Sequence, residues 1–337
     1  MKKHVNVPIF IPHYGCPNDC VFCNQRKITV KPCYDKNVVI AEIEQALSTI
    51  ESERSEVELA FFGGSFTAIP ENEMLGLLEV SDIFLSEKRI DSVRLSTRPD
   101  AINGHILQIL ASHGVKTIEL GLQSFSDTVL SASKRGHTAS QSEQACKLIK
   151  DYGFQLIGQM MVGLPCSTLK DELDTAEKIC ELGCDGARIY PTVVFPDTEL
   201  DKMTKSGAYT PLTTEQAIER SAKALEVFIR HRVPVIRIGL CSNETLSDEN
   251  YAENYHPSVG ELSINRYYLD KMKALLSAIG DTNGKNAVFI VAKGKISQAV
   301  GQKRANVLAL IDDFGLKDVK IKESDDVRAF ELSLDIR

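Results

Sequence analysis

The stretch GCPNDCVFCNQ, residues 15–25, sets Cys16, Cys20 and Cys23 in a CxxxCxxC triplet. Thiolate sulfur is a soft ligand. A loop with three and then two intervening residues wraps one face of an iron-sulfur cubane and leaves the fourth iron without a protein ligand. Read as a structural zinc site, the same triplet lacks a fourth partner, since His13 is the one nitrogen candidate nearby and such sites commonly use two CxxC-like pairs. A 4Fe-4S cluster held by Cys16, Cys20 and Cys23 is therefore the expected metal centre. The other six cysteines, Cys33, Cys146, Cys166, Cys180, Cys184 and Cys241, bring the total to an odd nine with irregular spacing. That pattern fits single thiols in a reducing compartment and not a secreted disulfide framework. Cys180 and Cys184 lie one helical turn apart, but no second pair accompanies them and Gly183 marks a helix end.

Upstream of the triplet lies a β-branched run at 5–11, and downstream such runs alternate with amphipathic stretches to about residue 240. Strands are expected at 5–11, 57–62, 92–96, 117–122, 155–161 and 186–191, with a seventh candidate at 234–238; helices are expected at 38–50, 74–85, 102–113, 140–152, 169–182 and 215–230. This rhythm predicts an α/β fold, a partial (β/α)6 barrel. In barrels of parallel strands the reactive groups gather at the carboxyl ends of the strands, and the motifs fall there. The triplet follows the first strand, Gly63-Gly64-Ser65-Phe66-Thr67 the second, Thr97-Arg98-Pro99-Asp100 the third, Gln123-Ser124 the fourth and Gly163-Leu164-Pro165 the fifth. A hydrophilic stretch at 242–253, a helix-like run at 262–279 and the linker GDTNGKN at 280–286 come next, then a strand, turn, helix and strand over 287–322. The expected division is 1–245 for the barrel, 246–284 for a helical connector and 285–337 for a small αβ subdomain, with no internal repeat.

With 43% hydrophobic and 7% aromatic residues over 337 positions, the chain is long enough for one large α/β domain with a small appendage. A net charge of -7 excludes a surface that is basic throughout, so any nucleic-acid contact rests on a local patch. The opening MKKHVNVPIFIPHYG is broken by Pro8 and Pro12 and has no signal-like apolar core, and no later run approaches ~18 apolar residues. A cytoplasmic protein without a membrane span is expected.

Together these strings resemble the radical S-adenosylmethionine superfamily, in which an aromatic residue precedes the last cysteine of the triplet, as Phe22 does here. The resemblance implies that the open iron takes the amino and carboxylate groups of S-adenosylmethionine and that Phe22 lies against the adenine. It also implies that the turn Gly63, Gly64 and Ser65 binds the amino group, where glycine lets the backbone come close; a tight strand-to-helix turn is the plainer reading. STRPD at 96–100, IELGLQS at 118–124 and SKRGHT at 133–138 resemble more narrowly the catalytic subunit of the Elongator complex and its short bacterial relatives, over about residues 7–240. Gln123 and Arg135 match polar positions that contact S-adenosylmethionine in related enzymes such as oxygen-independent coproporphyrinogen III oxidase, and Gln159 stands where those enzymes place an acidic group. Ser96 departs from the Elongator pattern, which commonly has a glutamate before Thr-Arg-Pro-Asp, and leaves a ribose or carboxylate contact there open. Plainer readings accompany the rest: Arg98 paired with Asp100, Glu119 in a salt bridge within its strand, His137 capping a helix, and Lys134 as a surface charge.

Near the C-terminus, Val300-Gly301-Gln302-Lys303-Arg304 opens a helix and resembles the GXXG loop of KH modules, whose amides and basic side chains clamp a nucleic-acid backbone. Arg304 replaces the second glycine. Residues 285–322 hold eight Lys/Arg against three Asp, a local basic excess on an acidic chain. Gly301, Lys303 and Arg304 are thus candidate RNA contacts, and a capping αβ subdomain without that role is the alternative.

The resemblance implies reductive cleavage of S-adenosylmethionine to a 5'-deoxyadenosyl radical, with a one-electron donor such as flavodoxin or ferredoxin. It points to tRNA as substrate, by analogy with Elongator-type modification of wobble uridine. The Elongator subunit also carries an acetyltransferase domain, for which the roughly 100 residues after 240 leave no room, so use of acetyl-coenzyme A does not carry over. Two other readings stay open: tetrapyrrole oxidation like that of oxygen-independent coproporphyrinogen III oxidase, and a nucleic-acid-binding protein whose cluster is structural or redox-sensing. No catalytic side chain is assigned.

Overall fold

In the computed structural model, which describes residues 3–11, 16, 20–23, 35–51, 54–240 and 255–337, seven parallel strands follow one another across a single sheet. They are β1 (Lys3–Ile11), β2 (Ser55–Gly63), β3 (Ser92–Thr97), β4 (Val115–Gln123), β5 (Gln155–Val162), β6 (Gly186–Pro191) and β7 (Val235–Ile238). Parallel neighbours need a crossover and not a hairpin. The crossovers carry α1 (Lys36–Leu47), α2 (Glu71–Ser86), α3 (Gly104–Ser112), α4 (Asp127–Ala132) with α5 (Ala139–Asp151), α6 (Leu169–Glu181), and α7 (Glu199–Lys205) with α8 (Thr214–Arg230). β1 and β7 stand at the two edges, so the architecture is a half-barrel of seven strands, the expected six and the seventh candidate at 234–238. That seventh strand, β7, has four half-buried or exposed residues, an arginine among them, and meets β6 through a register shift; so short a run gives a weak strand signal. His13, Cys33, Cys241 and the stretch 242–253 lie outside the described residues.

Side chains of a strand alternate between its two faces. Toward the helices, Leu59, Phe61, Leu95, Ile118, Leu120 and Ile189 are buried against Leu77, Leu107, Ile149, Ile179 and Phe228 in one continuous core. Each such side chain contributes about 1.5–3 kcal/mol. The opposite face, inside the half-barrel, is charged. Arg94 Nε donates to Glu58 at 2.6 Å and its Nη1 to Glu119 at 2.7 Å, while Arg188 Nη2 donates to Glu119 at 2.9 Å and Thr117 Oγ1 to Glu58 at 2.9 Å. This ladder ties β2, β3, β4 and β6 together from within. Three helices start on capping boxes, Thr138 with Gln141, Thr168 with Asp171 and Thr213 with Gln216, which fix where each loop at the top of the barrel ends.

The last segment begins with α9 (Val259–Ile279), which lies along α8. There follow β8 (Asn286–Ala292), α10 (Ile296–Val300), α11 (Ala305–Phe314), β9 (Asp318–Ser324) and β10 (Leu332–Ile336). β8 is central, parallel to β9 and antiparallel to β10. Where one helix was expected there are two, separated by the turn Gly301 to Arg304. Tyr267, Tyr268, Met272 and Leu276 of α9 share the core with Phe289, Val291 and Leu310 of this segment and with Phe228 of α8. Among the described residues no helix is long and apolar enough to cross a membrane.

Candidate active site

The end of β2 runs very close to the end of β1. Gly63 has φ +110°, and a Cβ there would lie 2.5 Å from the carbonyl oxygen of Ile11, so no other residue fits this approach without movement. Beyond it Gly64 and Ser65 are buried, and Ser65 Oγ lies 3.1 Å from Cys16 Sγ. Phe66 is fully buried and stacks on Phe61 with ring centroids 4.8 Å apart, which anchors the turn in the core. In the cysteine loop, Cys23 N donates to Cys20 O at 2.9 Å and closes a tight turn over Val21 and Phe22. Two distant backbones hold this turn: Val21 N donates to Ser133 O at 3.2 Å, and Leu200 N donates to Val21 O at 2.8 Å. Phe22 is half-buried between two apolar groups, Val21, Leu200 and Tyr209 in one and Val129, Met161 and Leu164 in the other.

Arg135 reaches the same loop from the other side. Its Nη1 lies 3.2 Å from Cys20 Sγ, its Nη2 donates to Gly121 O at 2.7 Å, and its buried Nε has no partner among the described residues. Arg98 is 2% exposed; it donates from Nε to Asp100 at 2.5 Å and from Nη2 to the Arg135 carbonyl, while its Nη1 has no partner among the described residues. Burial works against the Arg98 charge, but Asp100 together with the Cys20 and Cys16 thiols outweighs it and moves the pKa up. Burial first, and then the charge of Arg135, push His137 down to about 4, so its ring is neutral at pH 7. His137 does not cap the helix: Thr138 does, and His137 Nδ1 sits 3.2 Å from Ser142 Oγ. Lys134 is a surface charge, 58% exposed, and pairs with Glu199.

Gln123 stands at the register shift that ends β4, with φ +65°, and its Oε1 accepts from Gln159 Nε2 at 3.3 Å. A Cβ on Gly121 would come within 3.0 Å of Gln123 Nε2 and 3.4 Å of Arg135 Nη2, so the end of β4 gathers Gln123, Gln159 and Arg135 in one place. Half-buried Ser96 stands across from Glu119 in the β3–β4 register. Thr67 Oγ1 lies 2.6 Å from Thr97 Oγ1 and donates to Ala101 O at 2.7 Å, locking the turn after β2 to the turn after β3. The loop after β5 is held by groups the sequence did not single out. Gly163 N donates to Glu172 at 2.7 Å, Tyr209 OH donates to Gly163 O at 2.6 Å, and Arg220 pairs with Glu172 at 2.9 Å. The charge ladder of Glu58, Arg94 and Arg188 was missed as well, although a charged residue inside each of three strands was its visible signal. Gly301, Lys303 and Arg304 belong to the other sheet's turn, with φ of +77°, +52° and +63° and both basic side chains exposed.

No three His, Cys, Asp or Glu side chains among the described residues are gathered for a single metal ion. A cubane carries its ligands on separate corners and asks for a wider triplet. Two buried guanidiniums face the cysteine loop, Arg98 paired with the carboxylate of Asp100, and each keeps a buried N–H donor without an acceptor among the described residues. Three thiolates around an iron-sulfur core carry the negative charge that such donors complement, so the residues present fit a cluster of that kind.

The Radical SAM superfamily model matches residues 10–179, and the Radical_SAM C-terminal domain model matches residues 184–270. The chain is 28% identical over 298 residues to an uncharacterized protein of Methanocaldococcus jannaschii, covering 84% of this chain and 87% of that one. It is 30% identical over 199 residues to the tRNA uridine(34) acetyltransferase of Methanocaldococcus infernus and 28% identical over 189 residues to Elongator complex protein 3 of Homo sapiens. Those matches cover 53% and 50% of this chain but only 37% and 35% of the relatives, so the chain spans little more than a third of their length. Among solved structures, the archaeal Methanocaldococcus infernus Elp3 with an N-terminal deletion superposes with a TM-score of 0.62 at 21% identity, over 81% of this chain and 64% of that one. Methylornithine synthase gives 0.54 at 12%, over 81% and 82%. At such identities these two likenesses concern the fold. A match that begins at the end of β1, passes through the cysteine loop and takes in half of the chain establishes that this protein belongs to the Radical SAM superfamily.

Proposed function

We propose that the chain cleaves S-adenosylmethionine reductively and directs the resulting radical at tRNA, as a modifier of the wobble uridine. The observation that carries the chemistry is the approach of Cys16 to Ser65 and of Cys20 to Arg135 at the carboxyl ends of the strands. The substrate rests on the relatives named for tRNA uridine(34), of which this chain spans only part. What a 4Fe-4S cluster on Cys16, Cys20 and Cys23 supplies when bound is one electron and an open iron, so that carbon-sulfur cleavage yields methionine and a 5'-deoxyadenosyl radical that takes a substrate hydrogen.

The chain's own residues do the rest by position. The Gly63 and Gly64 backbone and the Ser65 hydroxyl take the amino group of S-adenosylmethionine. Phe22, seated on Met161 and Leu164, lays its ring against the adenine. Ser96, Gln123, Gln159 and Arg135 meet the ribose and carboxylate from β3, β4, β5 and the turn after α4, and the surrounding wall keeps bulk water from the radical. Lys303 and Arg304, exposed on a left-handed turn beside Gly301, offer phosphate contacts. A flavodoxin or ferredoxin fits as electron donor. The seven described cysteines form no disulfide with one another, which suits the reducing cytoplasm.

Anaerobically reconstituted and reduced protein is expected to release 5'-deoxyadenosine from S-adenosylmethionine; no release would make this a cluster-bearing binding protein. Mass spectrometry of total tRNA nucleosides, from cells with and without the chain, is expected to show one wobble-uridine derivative that depends on it. An unchanged nucleoside profile would sink the tRNA half of the reading, and a porphyrin-dependent product would put tetrapyrrole oxidation in its place.

A further inference from the structure

We propose that Arg135 is a positioning residue for the cluster itself: it donates to the Cys20 thiolate and makes the cluster easier to reduce, with Arg98 holding it in place. This rests on Cys16, Cys20 and Cys23 carrying the cluster. The residue is fixed at both its guanidinium and its main chain. Nη2 is tied to Gly121 O at 2.7 Å, the main-chain carbonyl of Arg135 accepts from Arg98, and Nη1 is thereby brought to 3.2 Å from Cys20 Sγ. A planar fork gripped in this way holds Nη1 on one sulfur while another of its nitrogens stays open to the cosubstrate. Nε is the guanidinium nitrogen left without a partner among the described residues.

Charge gives the direction of the effect. Arg135 and Arg98 are 7% and 2% exposed, and Asp100 offsets only one of their two charges. Neutral His137 adds none, its proton driven off by burial and by Arg135. Among the described residues one of the two positive charges beside the sulfur ligands is therefore left without a carboxylate, where screening by water is weak. Reduction adds an electron to the cluster, so a fixed cation and an N–H donor to a ligand sulfur stabilise the reduced form more than the oxidised one.

The test uses reconstituted full-length protein without S-adenosylmethionine, so that cosubstrate binding plays no part. Iron and sulfide content are measured first, then the ratio of reduced to oxidised cluster by electron paramagnetic resonance at the wild-type midpoint potential. Arg135→Gln should keep the cluster and lower that ratio at least tenfold, equivalent to about 59 mV for one electron. Arg135→Lys, which keeps the charge and loses the fork, should fall between. Should Arg135→Gln take up no cluster, Arg98→Gln and Arg135→Lys decide, both expected to shift the ratio the same way by less. An unchanged ratio in every variant that holds the cluster overturns the proposal, as does loss of S-adenosylmethionine cleavage with no change in ratio. Wild-type protein that takes up no cluster would instead refute the ligand assignment.

Discussion

Glu119 accepts from Arg94 on one side and Arg188 on the other, and all three side chains are at most 12% exposed. Removing it leaves two guanidiniums buried with one fewer anion. Glu119→Ala is expected to cost about 3–5 kcal/mol in urea unfolding, and Glu119→Gln, which keeps an acceptor, less. His137 makes a prediction for pH. Arg135, Arg98 and Asp100 are the charged groups that act on it, and burial with Arg135 prevails to hold its pKa near 4. The unfolded chain takes up its proton near 6.5, so His137 contributes stability that is present in full above that pH and is lost as pH falls toward 4, at most about 3 kcal/mol. Unfolding midpoints at pH 7 and pH 5 should differ more for wild type than for His137→Asn. Of these residues the cysteine triplet was legible in the sequence because its spacing is local. The ladder was not, since Glu58, Arg94, Glu119 and Arg188 meet only through strand register across more than a hundred positions.

The strands were readable as elements because β-branched runs between amphipathic helices repeat with little interruption. Short pieces were not. α4 and α7, of six and seven residues, are too brief to show a helical period, and β10 is a five-residue edge strand with no alternation of burial, half-buried except at Ser333. Yet α7 is what positions the cysteine loop, through the bond from Leu200 N to Val21 O. Leu200→Pro removes that N–H at a first-turn position where proline is tolerated; Leu200→Ala keeps the N–H and gives up only packing. Iron content after reconstitution should fall further in Leu200→Pro than in Leu200→Ala, and equal iron content would show that the bond is dispensable.

At the scale of the whole molecule the acidic chain carries a local basic excess over residues 285–322, and the barrel holds two buried cations at Arg98 and Arg135. Lys303→Ala with Arg304→Ala should weaken tRNA binding and lower the slope of log affinity against log salt by about one for each phosphate no longer neutralised; an unchanged slope would remove this turn from the RNA surface. The strand order and the cysteine triplet could be read from short strings, whereas the meeting of Gln123, Gln159 and Arg135 at the end of β4 appears only in three dimensions.

The long helix α9 carries one last consequence. Its Tyr267, Tyr268, Met272 and Leu276 reach the second sheet without leaving the core that also holds Phe228, so among the described residues one continuous core spans both sheets. Calorimetry should record one cooperative transition, and a protease should find no stable fragment ending between the two sheets.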